Sequence, residues 1–225
     1  MNQTKTAWDL YQEGTDYQFD CESLQLGPWT SYSLINDPKH LTFVLSRYKF
    51  CAKMLEGKDY VVEIGCGDGL GVPIMAHAVK HLHCIDWDER NLEGCKKRLS
   101  FLKNVTYEHV DLNKSSIDCK ADAAYSIDVI EHLEPHLEAT FMNNVLSFLK
   151  DESVLITGTP NITASQYASP RSEVQHINLK SMASLKELTS QYFKQVFMFG
   201  MNDEVLHTGY GAMAHYIWSI GAGKK

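Results

Sequence analysis

The chain has 225 residues, with 28 acidic against 21 basic side chains and a formal net charge of −7. That length is enough for one substantial core, and the acidic balance argues against a nucleic-acid partner, since phosphate binding depends on clustered Lys and Arg. No apolar run approaches the roughly 18 to 20 residues that span a bilayer, and Met1-Asn2-Gln3-Thr4-Lys5 lacks a secretory apolar region; the expectation is a cytoplasmic protein with no membrane partner. In chain order, the first 55 residues read as a helical, aromatic cap. Trp8, Tyr11, Tyr17, Trp29 and Tyr32 all fall in it, and a helix is predicted over 38–55. Leu26-Gly27-Pro28-Trp29-Thr30-Ser31-Tyr32 reads as a turn that delivers rings either to a lid over a cleft or to a sheet edge or homodimer contact. Residues 56–225 read as one compact domain.

That domain begins with a strand over 60–64, where Val61, Val62 and Ile64 favour a buried extended segment. It runs directly into Gly65-Cys66-Gly67-Asp68-Gly69. Each glycine there permits positive φ or lets backbone approach a ligand closely. A dinucleotide fingerprint, G-x-G-x-x-G, would need its third glycine at position 70, which is Leu70. This spacing disfavours a nicotinamide oxidoreductase. What stands instead, Glu63-x-Gly65-x-Gly67-x-Gly69, resembles motif I of the class I S-adenosylmethionine-dependent methyltransferases. The resemblance implies that Gly65, Cys66, Gly67, Asp68 and Gly69 cradle S-adenosyl-L-methionine and that Glu63 attracts its ammonium group.

Further signals follow in the order this family implies. After a helix over 70–80 comes a strand over 82–86 ending in Asp86, 21 residues past Gly65. An acid at about that distance accepts hydrogen bonds from ribose hydroxyls; the competing reading is a cap for the helix over 88–101. Trp87 is read either as a platform for adenine or as an ordinary core or surface ring. The Lys96-Lys97-Arg98 cluster is a solvated helix face. A strand over 105–110 leads to Asp111-Leu112, where the resemblance implies contact with adenine. The strand over 122–127 runs out into Asp128-Val129-Ile130-Glu131-His132-Leu133. This resembles the D-x-x-E-H-L motif of small-molecule O-methyltransferases of the ubiquinone-biosynthesis type. After a helix over 135–149 and a strand over 153–158, Thr159-Pro160-Asn161 is similar to a second feature of that group.

A helix over 180–190 completes a regular alternation that means a parallel sheet with helices on both faces. Two apolar runs, 193–199 and 212–220, then predict a closing antiparallel hairpin. The expected fold is a Rossmann-like α/β three-layer sandwich with a seven-stranded, mostly parallel sheet and a C-terminal antiparallel hairpin.

Glu63, Asp86, Asp111 and Asp128 each close a predicted strand, which brings them to the edge where open α/β sheets bind ligands. The resemblance implies methyl transfer to a small polar acceptor, a hydroxyl of a sugar or other metabolite. A hydroxyl must lose its proton as the new bond forms, a task suited to a histidine, and His132 is the first base candidate, or else a residue that orients the helix start. His176 and His207 follow it. Glu131 and His132 are adjacent possible ligands without an identifiable third, so no metal is expected. The six cysteines, at 21, 51, 66, 84, 95 and 119, contain no C-x-x-C pair and read as reduced thiols. Rival readings are an N-methyltransferase on a small amine, a transferase using a decarboxylated cofactor, and a non-catalytic nucleoside-binding subunit.

Overall fold

The computed structural model describes residues 4–18 and 23–225; Cys21 lies outside them. Three helices precede the sheet: α1 (Ala7–Thr15), α2 (Pro28–Asn36) and α3 (Pro38–Leu55). Helix α1 starts in a capping box formed by Thr6 and Asp9, yet buries none of its residues, so Trp8 and Tyr11 stay on the surface. Helix α3 is held by packing. Leu41, Val44, Tyr48, Cys51 and Leu55 recur every three or four residues, form one stripe and are all buried, and Pro38 opens the helix where a missing N–H costs nothing.

Strands β1 (Tyr60–Ile64), β2 (His81–Asp86), β3 (Val105–His109), β4 (Ala121–Ile127), β5 (Leu149–Pro160), β6 (Phe193–Asn202), β7 (Val205–His207) and β8 (Tyr216–Lys224) form one sheet in the order β3-β2-β1-β4-β5-β8-β6-β7. The first five are parallel; β8 runs antiparallel between β5 and β6, and β7 pairs antiparallel with β6. Helices α4 (Val72–Ala78), α5 (Glu89–Arg98), α6 (Glu138–Phe148), α7 (Pro170–Gln175) and α8 (Met182–Tyr192) fill the connections. Successive residues of β1 face opposite sides. Val61 joins a core that includes Tyr48, Tyr125 and Trp218, and Val62 joins one that includes Phe141, Val145 and Leu155.

The expected fold is the observed one, with three local differences. The sheet has eight strands because the polar stretch between the predicted arms contains β7, which is only three residues long and too short to show a period. The second arm begins at Tyr216, because Gly211–Met213 forms a 3-10 turn. Helix α4 is shorter than 70–80, since the loop stays irregular through Gly69, at φ 83°, and Pro73 sits in the first helical turn. No described helix is long and apolar enough to cross a membrane.

Strand β1 pairs with β2 on one side and β4 on the other, so chain order reverses there. Connections leaving β1 and β4 diverge and open a crevice at the strands' carboxyl ends.

Candidate active site

The crevice is a cavity of about 1220 Å³ whose walls include Gly65, Gly67, Asp128, His132 and His176. Two glycines shape its floor. Gly65 has φ 75°, and a Cβ on it would lie 2.6 Å from Val129 Cγ2; Gly67 has φ 53°, with no heavy atom within 4 Å of where a Cβ would stand. Gly67 therefore presents bare backbone to open space, as close approach of a ligand requires.

Asp86, buried at the end of β2, accepts a hydrogen bond from the Gly67 N–H through Oδ2 (2.8 Å) and from the Asp88 N–H through Oδ1 (2.8 Å). It fixes the loop. Glu63 lies beneath the loop, 2% exposed. Burial pushes its carboxyl up to about 7, while the Tyr125 hydroxyl and the Cys84 thiol pull it back. The Cys84 Sγ donates to Glu63 Oε2 at 3.6 Å.

The carboxyl ends of β1 to β4 align, yet Glu63, Asp86, Trp87, Asp111 and Leu112 do not line the cavity. Trp87 is 71% exposed and Leu112 is buried in the core. Asp111 pairs with Lys114 (2.9 Å). Cys51, Cys66, Cys84, Cys95 and Cys119 are free thiols.

Beyond β4 the chain turns sharply: Asp128 has φ 55°, a left-handed conformation that Asp tolerates better than most residues. Its Oδ2 lies 2.6 Å from Arg47 Nη1. The Arg47 guanidinium is buried 3.8 Å from the centroid of the Tyr216 ring, a cation–π arrangement. Sequence reasoning gave Arg47 no role. The available signal was its register: Val44, Arg47 and Cys51 share the buried face of α3, where a cation needs a buried partner.

Glu131 is fully buried. Thr159 Oγ1 donates to its Oε2 (2.9 Å), and Oε1 has no partner. Burial first, and the Asp128 carboxylate second, hold Glu131 well above the usual carboxylate range. Thr159 and Asn161 of the T-P-N segment thus have separate tasks, because Asn161 Nδ2 donates to the carbonyls of Gly211 (2.9 Å) and Ala214 (2.8 Å) and ties the end of β5 to the loop before β8.

His132 Nδ1 lies 3.0 Å from the Gln175 carbonyl. A carbonyl only accepts, so Nδ1 carries a proton, and in the neutral imidazole Nε2 holds the lone pair. The His176 ring stands 5.1 Å from His132, centroid to centroid, at 71°. Burial, and then His132, lower its pKa and favour the neutral imidazole. The end of α7 delivers His176, and the Asn178 N–H donates to the Glu131 carbonyl (2.9 Å) in the next turn of chain. Ligand atoms of Glu131, His132 and His176 all lie within 4.8 Å of one another, so the third member missing from the sequence pattern is His176. His207 departs from expectation. Its Nε2 lies 2.8 Å from Asn202 Oδ1, its Nδ1 accepts from the Gly209 N–H (3.2 Å), and it is not on the cavity wall.

A family model described as a methyltransferase domain matches residues 61–152. A probable S-adenosylmethionine-dependent methyltransferase of Mycolicibacterium smegmatis is 28% identical over 148 residues, covering 63% of this chain and 53% of its own length. One from Mycobacterium tuberculosis is 26% identical over 120 residues, covering 51% and 40%. The chain therefore spans about half the length of the curated relatives it matches. Among solved structures, the N-methyltransferase NodS from Bradyrhizobium japonicum, in complex with S-adenosyl-L-homocysteine, superposes with a TM-score of 0.66 at 15% identity over 94% of this chain and 97% of its own. The methyltransferase domain of bacterial CtHen1 does so at 0.68 and 17%, over 81% and 100%. Glycine loop, strand order and the family match over residues 61–152 agree in their similarity to class I S-adenosylmethionine-dependent methyltransferases.

Proposed function

We propose that this protein moves the methyl group of S-adenosylmethionine to a hydroxyl of a small, polar acceptor bound in the cavity beside His132. The sulfonium makes the methyl electrophilic, so the protein's work is alignment, exclusion of water and removal of one proton. The observation that carries the reading is the His132 tautomer: Nδ1 is committed to the Gln175 carbonyl, which leaves Nε2 as a lone pair on the wall of the cavity that also exposes Gly65 and Gly67. An amine acceptor would need little or no base and would leave this arrangement unused. The net charge of −7 supports an acceptor other than nucleic acid. An acceptor screen with methyl-labelled cofactor tests the proposal; a product labelled on nitrogen would overturn the hydroxyl assignment.

Loop 65–69 and Asp86 hold the cofactor in this reading. Calorimetry with S-adenosylhomocysteine should show binding, and Asp86→Ala should weaken it by about 1–3 kcal/mol, through loss of a charged acceptor and of the Gly67 anchor. An unchanged affinity would remove Asp86 from the site.

A second reading concerns how the hydroxyl is activated. Glu131, whose Oε1 is unpartnered, His132 and His176 each offer one ligand atom within 4.8 Å of the others, a donor set suited to a divalent cation, which would polarise the acceptor oxygen. Titration of Mn²⁺ or Zn²⁺ should give one binding site that His176→Ala weakens by about 10- to 100-fold, the range typical of disturbed metal sites. Equal affinity in the two proteins would leave His132 as the base acting alone.

A further inference from the structure

Helix α2 has no side-chain cap of its own: its N-cap residue is Gly27, and no side chain of the helix start satisfies the first N–H groups. The cap comes from 38 residues downstream. Asp68, in the glycine loop, accepts the Thr30 N–H through Oδ2 (2.8 Å) and the Thr30 hydroxyl through Oδ1 (3.0 Å), and both residues are buried. A carboxylate at the positive end of a helix is favourably placed. The contact leaves no room for a larger N-cap, since a Cβ on Gly27 would lie 2.3 Å from Asp68 Oδ2. On the far side of the loop, Arg98 Nη2 donates to the Asp68 carbonyl (2.8 Å). Trp29, Tyr32 and Asn36 of the helix so fastened line the cavity, as does Asp68 itself.

We infer that Asp68, read from the sequence as a cofactor contact, is a positioning residue that clamps α2 onto the glycine loop, so that the loop receiving the cofactor also holds the wall of the acceptor cavity in place. The inference rests on the cofactor reading of loop 65–69. Release of α2 and deformation of that loop are one event, so a ligand that stiffens the loop must also stiffen the helix start.

Hydrogen exchange with S-adenosylhomocysteine as the probe tests the coupling. With the ligand at ten times its Kd, exchange across residues 28–36 of the wild-type chain should slow by up to about tenfold, in step with 65–69. Gly27→Ala disturbs the clamp from the helix side and leaves the loop sequence intact. It should keep calorimetric affinity within about threefold while the ligand no longer protects 28–36. Asp68→Ala should lose that protection in the same way, and Thr30→Ser, which keeps both hydrogen bonds, should retain it. Binding heat without protection of 28–36 in the wild type, or equal protection in the wild type, Gly27→Ala and Asp68→Ala, overturns the clamp and leaves the cofactor reading standing. No binding heat overturns the cofactor reading and the clamp with it.

Discussion

Arg47→Met should destabilise the protein by about 3 kcal/mol, the lower end of the range for removing one partner of a buried ion pair. Two terms contribute. The substitution strips Asp128 of its 2.6 Å partner while Asp128 holds a left-handed conformation, and it removes the cation lying 3.8 Å from the Tyr216 ring. Because the Asp128 side chain is 35% exposed, water recovers part of the loss, which is why the upper end is not expected. Methionine keeps most of the aliphatic volume, so little of the change arises from a cavity. For a domain of this size the loss corresponds to a fall in Tm of about 6–12 °C. Denaturant unfolding of Arg47→Met, Asp128→Asn and the double variant isolates the pair, since asparagine tolerates the same backbone conformation. Additive losses would mean that the pair contributes nothing and that Arg47 matters only as packing.

The parts of this molecule that the sequence makes legible are those where local chemistry and tertiary structure agree. The glycine loop is one. Three glycines following Val-Val-Glu-Ile read as a strand entering a tight turn, and all three have positive φ. The apolar run 82–86 puts Asp86 at the end of a strand, where the structure has it, and its carboxylate holds the glycine loop. Features that stayed hidden join distant segments. Arg47 meets Asp128 across 81 residues. His132 meets Gln175 across 43, and the seat of His176 is set by α7, a six-residue helix with too few turns to show a period. The third ligand atom near Glu131 and His132 therefore could not be seen from spacing. The contact of Asp68 with helix α2 was hidden for a related reason. Its place inside a cofactor motif suggested a ligand contact, whereas its two oxygens accept from a helix start whose only local sign is a glycine that leaves space for them. The place of His207 is equally non-local, because the hairpin itself engages both ring nitrogens and its position at a strand end does not show this.

Glu63 gives the clearest expected pH dependence. Its carboxyl is raised from 4.5 to about 7 by burial. The folded chain therefore keeps a proton that the unfolded chain has already released, and stability falls as pH rises from the unfolded value to the folded one. Below about 4.5 both states are protonated and the group contributes no difference; above about 7 the full penalty of a buried carboxylate is present, on the order of 3 kcal/mol. Glu63→Gln keeps the shape and an acceptor oxygen for Cys84 without a titrating proton. Urea unfolding at pH 5 and pH 8 should therefore show the variant gaining about 2–3 kcal/mol relative to the wild type between the two conditions, with all other titrations cancelling in the comparison. Parallel pH profiles would show that Glu63 is ionised beneath the loop at both pH values. Cofactor affinity should move the opposite way, because an ammonium attracted through the loop favours the carboxylate. Affinity for S-adenosylhomocysteine should rise through pH 7 in the wild type and stay flat in Glu63→Gln, since binding that favours the ionised form draws the group's proton off. A flat wild-type profile would detach Glu63 from the ligand and leave it as the buried acid that holds Cys84.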